Sequence, residues 1–301
     1  MRISRRDIIL AGLGLGVACV AKPRFGSAHW APSTFGVMPA GGTVDQTAML
    51  QQAIDAAASS GTPLFLPPGI YATRRLELRS GTRLNGVPGK SILRYRGGGG
   101  LISIEQVADI RIDGLVLDGD GRHTGVDGAL FAATMVERLQ LSNCRLLRSG
   151  SGGILISRSE NVIIANNIVD KAATGIAVIN VARSGKHAVV KGNHVRNLFF
   201  RKVAHSLGNG ILIEADAMVS GNVVETASGF GILVGSDLRD VSVTDNLIRN
   251  AHIGIGIAAE TAGAALITGN LISGAKDGAI RIMKGPTPIG PDLACYPTFA
   301  S

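Results

Sequence analysis

The chain has 301 residues, of which 46% are hydrophobic, 17% are charged and 41 are glycine. This hydrophobic share excludes an intrinsically disordered chain, and the irregular glycine spacing excludes collagen, which needs glycine at every third position. The formal net charge is +8, and half of it lies in residues 1–28, which hold five Lys or Arg and one Asp. The remaining excess is mild, and no zinc-finger, RNA-recognition or basic-helix pattern accompanies it, so no nucleic-acid partner is predicted.

The first segment of the chain predicts an export signal. Residues 4–10 resemble the twin-arginine signature, in which Arg5 and Arg6 precede large apolar residues. A weakly apolar stretch follows over residues 8–20, and small residues near its end allow cleavage. A buried N-terminal helix is the alternative, which three glycines in that stretch disfavour. We therefore expect residues 1–28 to engage the twin-arginine translocation machinery, and the mature chain to be periplasmic or secreted.

Neither a membrane span nor a metal site is predicted in the mature chain. No apolar run reaches the ~18–20 residues of a membrane-spanning helix. Cys144 and Cys295 are too far apart to form a disulfide framework, and no cysteine pair has the spacing of a zinc site. The scattered histidines share no metal spacing either.

A short capping helix is predicted over about residues 43–60. Apolar side chains recur there at helical spacing, namely Met49, Leu50, Ala53, Ile54 and Ala57. Asp45 or Thr43 is suited to cap the start of the helix, and Gly61 to end it. A short amphipathic helix followed by the Pro67-Pro68-Gly69 turn is typical of a lid that covers the open end of a coiled repeat structure.

A repeat of short aliphatic segments occupies the middle of the chain. Each unit contains a marker asparagine between alternating aliphatic residues, and an earlier unit has Gly114 in its place. The marker asparagines are Asn143, Asn167, Asn193, Asn222, Asn246 and Asn270, which are 24, 26, 29, 24 and 24 residues apart. Asparagine tolerates a left-handed corner, and its amide can bond to the asparagine of the next unit. We therefore expect these side chains to lie in one column.

A second element of the repeat is a glycine followed by alternating aliphatic residues. Its members are Gly153, Gly175, Gly210, Gly231, Gly256 and Gly278. Strands this short cannot bury an apolar face alone, but they can do so when each repeat forms one turn of a coil. The predicted fold is an all-β, right-handed parallel β-helix (a solenoid) with the helix as its N-terminal cap. A β-propeller and a leucine-rich repeat are the alternatives, and neither fits the repeat length and residue pattern.

Three segments that precede the repeats resemble a known superfamily. Residues 35–37, 41–48 and 64–71 are similar to the N-terminal part of pectate-lyase-like β-helix proteins. With the export signal and the asparagine repeats, the chain resembles twin-arginine-translocated, repeat-containing proteins of unassigned function. The resemblance implies a β-helix domain over residues 29–285 and a Pro-rich tail over 286–301. Calcium follows only from analogy with the superfamily, and no other cofactor is implied.

The lengths of the loops between markers and glycine strands indicate a groove. The first and fourth of these coils carry long loops, which should stand about 14 Å apart at ~4.8 Å per coil. In the first loop, Asp118, Asp120 and Asp127 are candidate acid, base or calcium-binding residues. Asp-Gly-Asp-Gly is also an ordinary turn sequence, and that interpretation is favoured.

Candidate binding residues lie on the floor and second wall of this groove. They are Arg148, Lys171, Phe200, Arg201 and Lys202. Cations beside aromatic rings suit an anionic sugar chain, through carboxylate pairing and stacking. Packing of the Phe199-Phe200 pair onto the coil is the alternative interpretation.

The catalytic motifs of the polygalacturonase branch are missing from the chain. It has no Asn-Thr-Asp, Asp-Asp or Gly-His-Gly sequence, and residues 281–284 only approximate an Arg-Ile-Lys motif. Whether the protein is an enzyme therefore stays open. One hypothesis is an exported β-helix that binds or processes an acidic polysaccharide as a lyase, hydrolase or epimerase. The other is a non-catalytic cell-envelope scaffold or interaction module.

Overall fold

A computed structural model describes residues 30–125, 128–179, 188–199, 208–262, 265–285, 287–290 and 292–293. The predicted cap is present as a short 3₁₀ helix, Pro32–Phe35, and an α-helix α1, Thr47–Ser60. Asp45 accepts a hydrogen bond from the Thr47 backbone N–H at 3.0 Å, and Gly61 ends the helix with a φ of 65°. The predicted export signal, with Arg5 and Arg6, lies outside the described residues. No helix in the described ranges is long and apolar enough to cross a membrane.

The rest of the described chain winds through three strand faces, here called A, B and C, in that order. Face A contains β1 (Leu64–Leu66), β4 (Arg83–Gly86), β7 (Ala108–Asp113), β10 (Glu137–Ser142), β13 (Glu160–Ala165), β16 (Ala188–Lys191), β19 (Ala217–Ser220), β21 (Val241–Thr244) and β23 (Ala265–Thr268). Face B contains β2 (Gly69–Thr73), β5 (Ser91–Tyr95), β8 (Val116–Asp118), β11 (Arg145–Leu147), β14 (Ile168–Ala172), β17 (His194–Leu198), the first halves of β20 (Val223–Val234) and β22 (Leu247–Ala258), and β24 (Leu271–Ser273). Face C contains β3 (Leu76–Glu77), β6 (Ile102–Glu105), β9 (Ala129–Thr134), β12 (Gly152–Ser157), β15 (Thr174–Ile179), β18 (Ile211–Glu214), the second halves of β20 and β22, and β25 (Ile280–Lys284).

Equivalent strands of successive coils pair in parallel, as the sequence predicts for a β-helix. On face A, β10 pairs with β13 and β13 with β16, with Leu141 opposite Ile164 and Ile164 opposite Val190. All three of these side chains are fully buried. Burying one such side chain is worth about 1.5–3 kcal/mol, so the stacked aliphatic columns form the core of the solenoid.

Two adjacent residues form the corner between faces A and B. One has the left-handed backbone that was expected of the marker asparagine, and the other has the amide that bonds between coils. The first corner residue has a left-handed backbone, with φ of 54° at Asn143 and 64° at Gly192. The second faces inward: Asn193 is 1% exposed, and its Nδ2 donates to the Ile164 carbonyl at 2.9 Å. Its Oδ1 accepts from the Asn167 backbone N–H at 2.9 Å, so both amide atoms are satisfied.

The predicted column is confirmed for five asparagines and wrong for the sixth. The five are Asn167, Asn193, Asn222, Asn246 and Asn270, joined by amide-to-amide hydrogen bonds. Asn143 is exposed and has the left-handed backbone, which Gly114 shares in the previous coil. The reason is the pairing of Ser142 with Ala165, which sets Cys144 opposite Asn167. Burial raises the pKa of the Cys144 thiol to about 12, so it stays protonated inside the column.

Glycines at the start of face C form a second column, for a steric reason. A Cβ on Gly175 would lie 2.2 Å from Cγ1 of Val195 and 2.5 Å from the carbonyl oxygen of Gly210. The column contains Gly153, Gly175, Gly210, Gly231 and Gly254. Gly256 and Gly278, which the sequence assigned to the same repeat element, lie outside this column. The pairing of Ile232 with Ile255 brings Gly254 into register instead of Gly256. The pairing of Ile255 with Ile280 brings Ala279 into register instead of Gly278.

The C-terminal end of the described chain closes with an antiparallel pair. Strand β26, Thr287–Ile289, folds back on β25, and the Asp292 carboxylate accepts from the backbone N–H groups of Ala279 and Ile280. Donors that a further coil would bond are therefore satisfied by a side chain. Strand pairing thus continues into the segment that the sequence predicts to be a tail from residue 286.

Candidate functional site

The corner between faces B and C varies in length, whereas the corner between A and B is two residues long in every coil from β7 to β24. The connection is one residue, Ala173, between β14 and β15, but spans residues 119–128 after β8 and 199–210 after β17. Both long connections join face B to face C, three coils apart, which corresponds to about 14 Å. Binding residues commonly lie on connections of variable length that a rigid scaffold positions.

Asp118 is the centre of an ion-pair network at the first long connection. It is the last residue of β8, it is 5% exposed, and it lies opposite Arg94 of β5. Arg148 donates two hydrogen bonds to Asp118, from Nε to Oδ1 at 3.0 Å and from Nη2 to Oδ2 at 2.5 Å. This hydrogen bonding raises the pKa of the Arg148 guanidinium. The Arg94 Nε lies 3.6 Å from Oδ2 of Asp118.

Asp120 extends the network toward solvent. It has a left-handed backbone with φ of 53°, and its Oδ1 lies 3.5 Å from Nη2 of Arg148. Its Oδ2 lies 3.6 Å from Nε of Arg122. Three guanidinium groups thus share two carboxylates, which leaves one positive charge in excess. The Arg94 Nε is also buried, with no hydrogen-bond partner in the described part of the chain.

The catalytic candidates meet this network in different ways. Asp118 is held by a bidentate guanidinium, so its ordinary role here is to anchor Arg148. Asp120 is about one-third exposed and accessible to a ligand. Asp127 lies outside the described residues. An acid, base or calcium-binding role for the three stays a prediction.

Two of the five binding candidates, Arg148 and Lys171, lie in the described structure at this corner. Lys171 is exposed, has a left-handed backbone with φ of 62°, and precedes the one-residue connection. Phe199 opens the second long connection: its N–H donates to the Ala172 carbonyl at 3.2 Å, and the residue is 36% exposed. The other three candidates, Phe200, Arg201 and Lys202, lie outside the described residues.

A row of alternating charges continues along the outer side of face B. Arg196 donates two hydrogen bonds to Asp170, and Glu225 accepts from His194 at 2.9 Å and lies 3.5 Å from Arg249. Burial alone would raise the pKa of Asp170, but hydrogen bonds from Asn197 and Arg196 outweigh this effect and hold the pKa below its usual value. The hydrogen bond from His194 lowers the pKa of Glu225. In the sequence, this row corresponds to charges of alternating sign at equivalent positions of successive repeats. The positions can be recognised as equivalent only once the strand register is known.

The outer side of face C is largely apolar along its middle coils. The side chains in one outward column are Ser103, Ala132, Leu155, Ala177, Leu212, Leu233, Gly256 and Arg281. Between Ala132 and Gly256 this described column contains no ionisable group. No group of three or more His, Cys, Asp or Glu that could hold a metal ion occurs in the described residues either.

Comparisons with known proteins agree with this architecture. Residues 114–289 match the family model described as "Right handed beta helix region". A comparison with curated protein sequences gave no match. Solved structures gave many matches at low identity, and such likeness shows the fold alone.

Three of these structures illustrate the range of related proteins. The hyperthermoactive exopolygalacturonase of Thermotoga maritima has 14% identity and a TM-score of 0.67, covering 84% of this chain and 75% of its own. The mannuronan C-5 epimerase AlgE6 A-module of Azotobacter vinelandii has 19% identity and a TM-score of 0.52, and the match covers 84% of this chain and 79% of that module. The surface protein and adhesin PfbA of Streptococcus pneumoniae has 14% identity and a TM-score of 0.52, and the match covers 84% of this chain and 88% of that protein.

Proposed function

This chain belongs to the right-handed β-helix family, and we propose that it binds an acidic polysaccharide at the corner between faces B and C. The single observation that carries the proposal is the charge excess of the Arg94–Asp118–Arg148–Asp120–Arg122 network. A sugar carboxylate would supply the missing negative charge and accept the planar donor groups of arginine.

Lys171 and Phe199 extend this surface along the same corner. An exposed ammonium group pairs with a further carboxylate, and an exposed ring supports the apolar side of a sugar. Their coils are adjacent, since Ala172 pairs with Leu198. A polymer lying along the solenoid axis would meet the arginine network first and these two residues next.

Binding without cleavage is the form of the proposal that the site supports. Both carboxylate oxygens of Asp118 accept hydrogen bonds from Arg148. The outward column of face C has no ionisable side chain between Ala132 and Gly256. The similarity of the fold to a polygalacturonase and an epimerase is compatible with processing, but fold alone does not carry an activity. Export by the twin-arginine route, with a periplasmic or secreted location, stays a prediction.

A cell-envelope scaffold is the second candidate, and the outer side of face A favours it. Ile163, Met218 and Leu266 are 38%, 53% and 59% exposed and lie in one outward column there, in which Val189 and Ser242 alternate with them. Exposed aliphatic side chains in a row are typical of surfaces that contact another protein. This surface is separate from the arginine network, so the two candidates can be tested independently.

Binding to polygalacturonate and to alginate, measured by titration calorimetry, tests the proposal. The double variant Lys171→Gln with Phe199→Ala should weaken binding at least tenfold, because a charged hydrogen bond and a stacked ring are each worth about 1 kcal/mol or more. Arg249→Gln is the matched control: it removes one positive charge from face B, but from a residue already paired with Glu225. It should change the affinity less than about twofold.

If the double variant and Arg249→Gln lose the same amount of binding affinity, the loss comes from the change in net charge, and the proposed site is contradicted. No binding of the unmodified protein to either polymer would favour the scaffold. Release of reducing ends or unsaturated products from either polymer would instead identify a hydrolase or a lyase.

A further inference from the structure

An open cavity of about 400 Å³ lies on face C near the N-terminal cap, away from the corner described above. Its polar lining includes Arg75, Glu77, Arg79, Ser103 and Glu105. None of these residues was a candidate in the sequence analysis. The volume is sufficient for a sugar residue, and the lining side chains are exposed enough for a ligand to enter directly.

The strand register sets the positions of the two carboxylates. Glu77 of β3 pairs with Ser103 of β6, and Glu105 lies two residues further along the same strand. Because Ile102 and Ile104 face the core, Ser103 and Glu105 face outward on the same side as Glu77. One step between strands and one two-residue step place the Cα atoms of Glu77 and Glu105 roughly 8 Å apart.

Most of the charges in the cavity are neutralised by neighbouring residues. The Arg75 Nε lies 3.2 Å from Oε1 of Glu77, and the Arg79 Nε lies 2.7 Å from Oδ1 of Asp55 in helix α1. Glu105 forms no ion pair within the described ranges. The cavity therefore has donors and acceptors on its walls and one negative charge in excess.

The base of the cavity is apolar. Leu78 is 3% exposed, and Val107 packs against the hydrophobic core. A rigid apolar base with a few fixed polar groups at the rim matches a sugar ring, which has C–H groups on its faces and hydroxyl groups at its edge. Guanidinium groups and the Ser103 hydroxyl would donate to ring hydroxyls, and the Glu105 carboxylate would accept from them.

We propose that this cavity binds one uncharged sugar residue of a glycan chain. A uronic acid is disfavoured, because its carboxylate would face the unpaired charge of Glu105. The inference rests on the proposed function and sharpens it. The arginine network selects an acidic unit and the cavity a neutral one. Residues 96–101 join β5, which contains Arg94, to β6, which contains Ser103. The ligand class is then a heteropolysaccharide that contains both kinds of unit.

The test uses neutral and acidic oligosaccharides as separate probes. Binding of cellohexaose, mannohexaose and hexagalacturonate is measured by titration calorimetry on the full chain. Glu105→Ala should weaken binding of the neutral probe at least tenfold. The matched control is Glu214→Ala, because Glu214 is an exposed carboxylate in the same outward column of face C, four coils away. It should leave that affinity unchanged within twofold.

A second variant separates the loss of charge from the loss of hydrogen bonds. Glu105→Gln keeps an acceptor, so it should retain binding of the neutral probe within about threefold while improving binding of hexagalacturonate. Circular dichroism melts should be alike for all of these variants, since each changed side chain is exposed. Failure of both neutral probes to bind, or equal behaviour of Glu105→Ala and Glu214→Ala, would overturn the cavity assignment.

The Lys171→Gln with Phe199→Ala variant distinguishes this proposal from the proposed function. It should lose hexagalacturonate and keep the neutral probe. If hexagalacturonate binds at that corner and the neutral probes do not bind, only the cavity assignment fails. If a neutral probe binds through Glu105 and hexagalacturonate binding does not depend on Lys171 and Phe199, only the proposed corner site fails.

Discussion

The corner between faces A and B is two residues long in every coil from β7 to β24. The connection between faces B and C is absent where β20 and β22 run straight through the corner, and is longest at the twelve residues 199–210. The first corner begins with a left-handed residue, and from Asn167 onward the inward residue that follows is an asparagine that bonds to neighbouring coils. The second has no such rule, and its long connections carry charged and aromatic side chains at the surface. Changes at the first corner should therefore act on stability, and changes at the second on binding.

The largest effect is expected from Asn193→Ala, in the regular corner. The substitution removes the partners of the Ile164 carbonyl and the Asn167 N–H, both in the buried column. Each unsatisfied buried group costs about 1–3 kcal/mol, so the free energy of unfolding should fall by about 2–6 kcal/mol. Urea denaturation measures it. The control is Asn143→Gly, at an exposed left-handed position, which should change that free energy by less than about 1 kcal/mol. Similar losses in both variants would contradict the division of roles at this corner.

A smaller effect is expected from Gly175→Ala, in the glycine column at the start of face C. The new methyl group would overlap Cγ1 of Val195 and the carbonyl of Gly210, and overpacking of this kind costs about 1–3 kcal/mol. Gly221→Asn is a suitable comparison. That position has a φ of 61° with nothing within 4 Å of an added Cβ, and asparagine fills the equivalent position in other coils. Thermal melts in which the two variants unfold at the same temperature would show that the glycine column is not sterically required.

The smallest effect is expected from pH, through Glu225 in the charge row of face B. The hydrogen bond from His194 makes the pKa of Glu225 lower in the folded protein than the value of 4.5 in the unfolded chain. Its stabilising contribution is therefore complete above about pH 4.5 and is lost as the pH falls through the lower, folded value. Urea midpoints between pH 6 and pH 3 should fall less steeply for Glu225→Gln than for the unmodified protein. Glu214→Gln, which removes an exposed carboxylate without these partners, should leave the slope unchanged; a flatter slope in that variant as well would point to general charge effects.

The two corners also differ in how far the sequence could predict them. The repeat of Asn167, Asn193, Asn222 and Asn246 was readable because a buried amide must be satisfied in every coil, so the residue type recurs. Asn143 was misassigned because asparagine also suits the exposed left-handed position next to it. Only the pairing of Ser142 with Ala165 shows which of the two adjacent positions it occupies.

The variable corner offered no comparable regularity. Asp118 was readable as a turn residue or as a catalytic carboxylate, and the structure adds that Arg148 and Arg94 lie beside it. Those two arginines are 54 residues apart in the sequence, so no local pattern could join them. The cavity that contains Glu77 and Glu105 was missed for the same reason, because its residues alternate with core residues on separate strands.

The sequence by itself determined the parallel β-helix and its cap, since short aliphatic segments at a regular interval can bury their apolar side only by stacking. The tertiary structure alone decided which polar side chains meet, because a contact between coils depends on register and on which side of a strand a residue faces. A shift of one residue moves every side chain to the opposite side of the sheet. A repeat whose markers are ambiguous by one position therefore predicts the fold but not the site.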